Sequence, residues 1–305
     1  MTLTETIARM KDLDLSTYPL DDISRGFKGF GNIPYKEVTL HPGKKIIRAS
    51  ANEENETFIS SKRLSYKPQA LNKTYQRAST PNETRFYGSI TPEGLSDEEL
   101  HHERLVVSKE VSKWLRNNDT CGLRKITYSR WDAIQDVKLI AIVDRSQFYD
   151  SSSYIRKLVK SFEQDLKRHP EHTENAMLVS DYLAGEFAKE ECDPDYHYLV
   201  SAMFSDLVVK HGFDGVLYPS VRTSGGFNIA ITAKAADEKL KFIGAGECLM
   251  YKNFKNTIID NSTVSSKIDA NGNFNYIPID SKYQWGEQEV LKRMGLKSLD
   301  ELCER

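Results

Sequence analysis

Residues 212–232, GFDGVLYPSVRTSGGFNIAIT, are the stretch on which the fold turns. Gly212 closes an apolar helical pattern, because a left-handed residue at a helix end is tolerated best by glycine. DGVLYPS and GFNIAIT are two β-prone runs separated by the polar, glycine-containing VRTSG, which predicts two strands joined by a loop. Ser220 falls where the first strand gives way to that loop, a usual place for residues that touch a ligand. A Tyr-Pro-Ser turn is also an ordinary turn, so the serine carries no function by itself.

Working outward, SSYIRKLVKSFEQDLKRH, ENAMLVSDYLAGEFAKE and PDYHYLVSAMFSDLVVKHG predict three helices before this stretch, with Asp193 capping the last and Pro194 in its first turn. KLIAIVD (138–144) has the character of a buried strand, and KLKFIGAGECLMYKNF that of a hairpin or one long strand. A further helix is expected from Glu287. Near the start, KEVTL and KIIRAS flank a Pro-Gly turn and predict a hairpin. Residues 1–35 read as a short polar helix followed by a glycine-rich connector, SRGFKGFGNIP. Ser96 and Glu99 have capping-box spacing, and Leu100, Val107, Val111 and Trp114 continue at helical intervals to an end near Asn117 and Asn118. Short strands mixed with segregated helices argue for an α+β fold. There is no GxGxxG after a strand and no P-loop, which removes the Rossmann reading.

The bulk properties exclude several classes. With 42 basic and 44 acidic side chains the net charge is −2, so nothing commits the whole molecule to nucleic acid. A local basic groove stays open. No run approaches the roughly 20 apolar residues that span a bilayer, and the N-terminus has no secretory pattern, so no membrane partner and a cytoplasmic location are expected. Cys121, Cys192, Cys248 and Cys303 are scattered without metal-ligand spacing. The expectation is reduced, structural thiols and neither a zinc site nor a disulfide framework.

Three places carry chemistry. Glu103 lies between Leu100 and Val107 on one helix flank, at the margin of the apolar stripe, where an ionised carboxylate needs a partner. A boundary glutamate paired with Arg104 or Lys109 satisfies that need as well as a functional one does. Arg48, on the second strand of the predicted hairpin, shares a face with Ile46 and points to a cleft or to solvent according to which face is inner. In QRASTPNETRFYGSI, Arg77 and Arg85 bracket a turn and Tyr87 follows on a short strand, which gathers cation and aromatic in front of the Glu103 helix.

Taken together, the arginine in IIRAS (Arg48), the run RASTPNETRFYGS leading to the glutamate of HHERL (Glu103), and GFDGVLYPSVRTSGGFNIAI with Ser220 resemble the RES family of bacterial ADP-ribosyltransferase-like toxins, named for an arginine, a glutamate and a serine. The last string is the most specific, and the likeness covers about residues 44–232. Two departures stand out: Gln76-Arg77-Ala78-Ser79 differs from the pattern of many members, Gly-Arg followed by an aromatic or Ala and then Asn, and the stretch from about 117 to 195 is longer than in compact members.

The resemblance implies an ADP-ribosyltransferase-like split β-sheet core with flanking helices. It divides the chain into an N-terminal extension (1–43), the RES domain (44–235, with a helical insertion at about 117–211) and a C-terminal part (236–305) that completes or extends it. It implies NAD⁺ as substrate, cleaved at the nicotinamide-ribose bond by a glycohydrolase or phosphorylase, with inorganic phosphate as a possible co-substrate and no permanently bound cofactor or metal. Glu103, Arg48 and Ser220 would be catalytic. Arg48, Arg77, Tyr87, Ser220 and Asn228 would bind the dinucleotide, with Arg48 or Arg77 as the diphosphate clamp. A protein ADP-ribosyltransferase and a non-catalytic NAD- or partner-binding module are the alternatives. The expected partners are a helix-turn-helix antitoxin protein and a second copy of the chain.

Overall fold

The computed structural model describes residues 1–90, 104, 105, 107–145, 149, 153–189, 193–220 and 226–304. Helices and strands are mixed, with ten strands paired mostly antiparallel among the described residues, in line with the α+β expectation. The chain divides into two compact units, residues 1–42, 66–87 and 133–239 forming the first and residues 43–65, 88–132 and 240–305 the second. Elements are numbered along the chain.

In the first unit, β1 (Lys36–Leu40), β5 (Val137–Ala141), β6 (Gly215–Pro219) and β7 (Phe227–Thr232) lie in that order. β5 and β6 run parallel, and the crossover between them carries α4 (Ser153–Leu166), α5 (Thr173–Phe187) and α6 (Leu199–Lys210), the three helices read from the sequence. A parallel pair requires such a crossover. β6 is buried along its whole length and pairs antiparallel with β7, the two strands expected here. Asp214-Gly215 is explained by packing. A Cβ on Gly215 would stand 2.8 Å from Ile231 Cα and closer still to the Ala230 carbonyl oxygen, so no side chain fits. The Asp214 carboxylate accepts from the Lys138 amide at 2.7 Å and pairs with Lys239 Nζ at 2.7 Å, fixing the entry to β6.

Three local expectations are corrected here. The glycine-rich connector is helical: α1 (Leu3–Lys11) is followed by α2 (Leu20–Gly29). Gly26 and Gly29 are contact points, since a Cβ on Gly26 would collide with the Met10 side chain and one on Gly29 would stand 3.0 Å from Thr6 Cγ2. Ile7, Met10, Ile23 and Phe30 consequently enter the same apolar cluster as Phe187 and Phe204. Asp193 and Pro194 do not start α6. The Asp195 carboxylate accepts from the Tyr18 hydroxyl at 2.6 Å and the Tyr75 amide at 2.8 Å, which holds Asp195–Tyr198 as a separate 3-10 turn, and Tyr198 precedes α6. KEVTL and KIIRAS do not form a hairpin. β1 pairs with β5, setting Val38 opposite Leu139, while β2 (Lys45–Ala51) pairs with β3 (Arg85–Ile90) and β4 (Gly122–Ala133), setting Ile46 opposite Ile90 and Trp131, so both strands are taken by partners distant in the chain.

The second unit has the strand order β3 (Arg85–Ile90), β2, β4 (Gly122–Ala133), β8 (Leu240–Lys252), β9 (Thr257–Ser266), β10 (Asn275–Pro278); the residues of β3 are divided between the two units. KLKFIGAGECLMYKNF is one long strand with a bulge between Glu247 and Cys248. The helix expected to end near Asn117 closes as α3 (Lys113–Arg116), capped by Ser112; its predicted start at Ser96 and Glu99 lies outside the described residues. α7 (Ala233–Lys239) belongs to the first unit and α8 (Glu287–Met294) to the second, the latter starting where predicted.

The cysteine reading is overturned at one pair. Cys121 and Cys303 form a disulfide across 182 residues, with Cα atoms 5.2 Å apart. Spacing along the chain could not reveal it, because the start of β4 and the C-terminal turn are brought together only by the packing of the second unit. Cys248 is a buried thiol, and Cys192 lies outside the described residues. No helix among the described residues is long and apolar enough to cross a membrane.

Candidate active site

In the first unit Arg77 and Tyr87 meet at one turn. Gln76 and Ser79 bond to each other through their backbones at 2.9 and 3.2 Å, closing a tight turn over Arg77 and Ala78. The Tyr87 hydroxyl accepts from the Ala78 amide at 3.1 Å and lies 2.7 Å from Ser79 Oγ. Either hydroxyl can donate in the contact between Tyr87 and Ser79. Burial raises the Tyr87 pKa, so the phenol stays protonated. Ala78 and Tyr218 belong to one apolar cluster, and the Tyr87 ring packs against it. Turn, β3 and β6 therefore share a core.

Arg77 is 9% exposed and spends its guanidinium on the end of α5. Nη1 donates to the Phe187 carbonyl and Nη2 to the Lys189 carbonyl at 2.7 Å, and the cation lies 5.3 Å from the Tyr198 ring centroid. The last carbonyls of a helix have no intrahelical donor, and an arginine meets them well. Arg85, which the sequence offered only as the other bracket of the turn, is 3% exposed, with Nη atoms 3.5 Å from Glu83 and 3.5 Å from Asp206 on α6. It ties β3 to the helix layer and stands near enough to Tyr87 to act on its charge.

Ser220 is 2% exposed at the exit of β6, its amide donating to the Gly226 carbonyl at 3.0 Å across the loop mouth. Asn228 sits on β7 directly opposite Tyr218 and is buried. The VRTSG loop, residues 221–225, lies outside the described residues.

Arg48 belongs to the second unit. It stands on β2 opposite Ser129, on the face it shares with Ile46, which is fully buried, and Arg48 itself is half-buried. Trp131 Nε1 donates to Ser129 Oγ at 3.0 Å, and Ser129 Oγ donates to the Arg48 carbonyl at 3.3 Å, a chain that fixes the backbone from which the guanidinium projects. Sequence reasoning missed Ser129 and Trp131 because only strand register makes them neighbours of Arg48.

Glu103 lies outside the described residues. Its neighbour Arg104 donates to Asn261 at 2.8 Å and lies over the Tyr128 ring. Thus Arg77, Tyr87, Ser220 and Asn228 fall in the first unit and Arg48 in the second. Among the described residues no three His, Cys, Asp or Glu side chains gather as a metal site requires. No family model matches the chain, and no curated protein matches it.

Proposed function

We propose that the protein is an NAD⁺-degrading enzyme with an ADP-ribosyltransferase-like core, cutting the bond between nicotinamide and ribose. One observation carries the reading: within the 212–232 string a helix end is followed by the buried strand β6 and its antiparallel partner β7, with Ser220 buried at the exit of β6 and Asn228 opposite Tyr218. Tyr87, held by its hydroxyl against the Ala78–Ser79 turn, supplies an aromatic ring suited to the cationic nicotinamide face. Arg48 or Arg77 would clamp the diphosphate, and the Arg77 guanidinium also bonds the carbonyls that end α5.

In this reading Glu103 faces the ribose, where departure of nicotinamide leaves positive charge on the sugar that a waiting carboxylate stabilises. Ser220 and Asn228 fix the pose of ribose and carboxamide. Water as acceptor yields ADP-ribose, and inorganic phosphate yields its 1-phosphate. In the cell such an activity depletes NAD⁺, fits a toxin of the cytoplasm, and calls for a protein antitoxin.

The test is the rate of nicotinamide release by wild type and Glu103→Gln. The variant is expected to lose on the order of 100- to 1000-fold in rate with its circular dichroism unchanged. Equal rates for the two proteins would remove Glu103 from the mechanism.

A further inference from the structure

We infer that Cys121–Cys303 is a thiol–disulfide exchange site that fastens the C-terminal turn of the second unit, with a dithiol as its reaction partner. This inference stands apart from the proposed activity. Cys303 is exposed, in the 3-10 turn Asp300–Cys303, and Cys121 is half-buried just before β4. The buried thiol Cys248 is different: it is 3% exposed, and burial pushes its pKa up to about 12, so it takes no part in exchange in the folded protein.

The two ends joined by the bond are anchored unequally. On the Cys121 side, Lys252 Nζ donates to the carbonyls of Trp114 at 3.1 Å and Asn117 at 2.5 Å and to the Thr120 hydroxyl at 2.8 Å. The Trp114 ring is flanked by Arg124 at 5.1 Å and Lys252 at 5.4 Å. That side is held with or without the crosslink. On the Cys303 side, Leu302 is the buried side chain of the final turn, packed with Tyr251, Val290 and Met294. Beside that leucine the turn is held by Leu299 against the same cluster and by the Lys297 amide donating to Glu301 at 2.8 Å, and a chain end with so few contacts opens readily. The disulfide adds a covalent tie to these contacts, and the exposed Cys303 is where a reductant enters.

The exchange balances as two steps. A reductant thiolate attacks Cys303 Sγ, the S–S bond breaks, and Cys121 leaves as a thiolate that takes a proton. The reductant's second thiolate then attacks the mixed disulfide, leaving the Cys303 thiol and the reductant's own disulfide. Two electrons pass from the dithiol to the protein.

Dithiothreitol and an alkylating reagent test this on the full chain. Without reductant, alkylation of the unfolded protein followed by proteolysis and mass spectrometry should find Cys121 and Cys303 in one linked peptide. After dithiothreitol treatment of the folded protein both should carry label while Cys248 does not. Reduction should also lower the thermal midpoint, on the order of 5 °C, and should leave that of Cys303→Ser unmoved. Protection of the last residues from hydrogen exchange should fall in the reduced protein while that of residues 114–120 persists. The inference is overturned by label on both Cys121 and Cys303 in protein never exposed to reductant, or by a wild-type midpoint and C-terminal protection indifferent to dithiothreitol. The alkylation map needs no variant, so it decides even if Cys303→Ser does not fold.

Discussion

The Tyr87 hydroxyl lies 2.7 Å from Ser79 Oγ, and this contact joins β3 to the turn that carries Arg77. The same hydroxyl accepts from the Ala78 amide, so the ring is fixed at its polar end and packs against the apolar cluster of the first unit. Tyr87→Phe removes the hydroxyl and leaves the Ala78 amide without this acceptor. It should destabilise the protein by about 1–2 kcal/mol. If the ring serves as a stacking surface, the variant keeps nicotinamide release within a few fold of wild type, whereas Tyr87→Ala loses it. Denaturant titration and a steady-state assay check the two halves separately.

Gly215 makes a second prediction, this one about the fold alone. Because a Cβ there would meet Ala230 and Ile231 backbone across the β6–β7 pair, Gly215→Ala must push the strands apart. A loss of about 1–3 kcal/mol is expected, read as a lower midpoint in urea. Unchanged stability would mean that the close approach of the two strands is not as described.

Tyr35 supplies a pH dependence. Burial raises its pKa from 10.0 to about 12. The sign follows from linkage: below pH 10 the phenol is protonated in both folded and unfolded chains and its full contribution is present. As the pH rises from 10 towards 12, the unfolded chain loses the proton first and stability falls. The total is on the order of 2–3 kcal/mol. Tyr35→Phe should flatten that part of the stability profile, and an equally steep profile for the variant would contradict the assignment.

The sequence was most legible where residue type answers to local geometry. Gly212 and the apolar run of β6 are read correctly because a helix end and a buried strand demand distinct residues. Glycines misled at 24–34 for a related reason. Gly26 and Gly29 mark close packing between α1 and α2, and the same residue type marks a turn when its neighbour in space is unknown. The Cys121–Cys303 bond, the Arg48–Ser129 pairing and the exchange of a hairpin for β1–β5 all rest on contacts between distant segments. Spacing within one segment holds no record of those. Arg77 shows the limit at a candidate site: its charge was visible, but its engagement with the carbonyls ending α5 depends on where that helix stops.

The central claim is that this chain cleaves NAD⁺ at the nicotinamide-ribose bond. Incubating the purified protein with NAD⁺, with and without inorganic phosphate, and identifying the products by chromatography and mass spectrometry tests it most directly. The account predicts free nicotinamide in both incubations, accompanied by ADP-ribose or, where phosphate is the acceptor, by its 1-phosphate. NAD⁺ recovered intact from both incubations would contradict it.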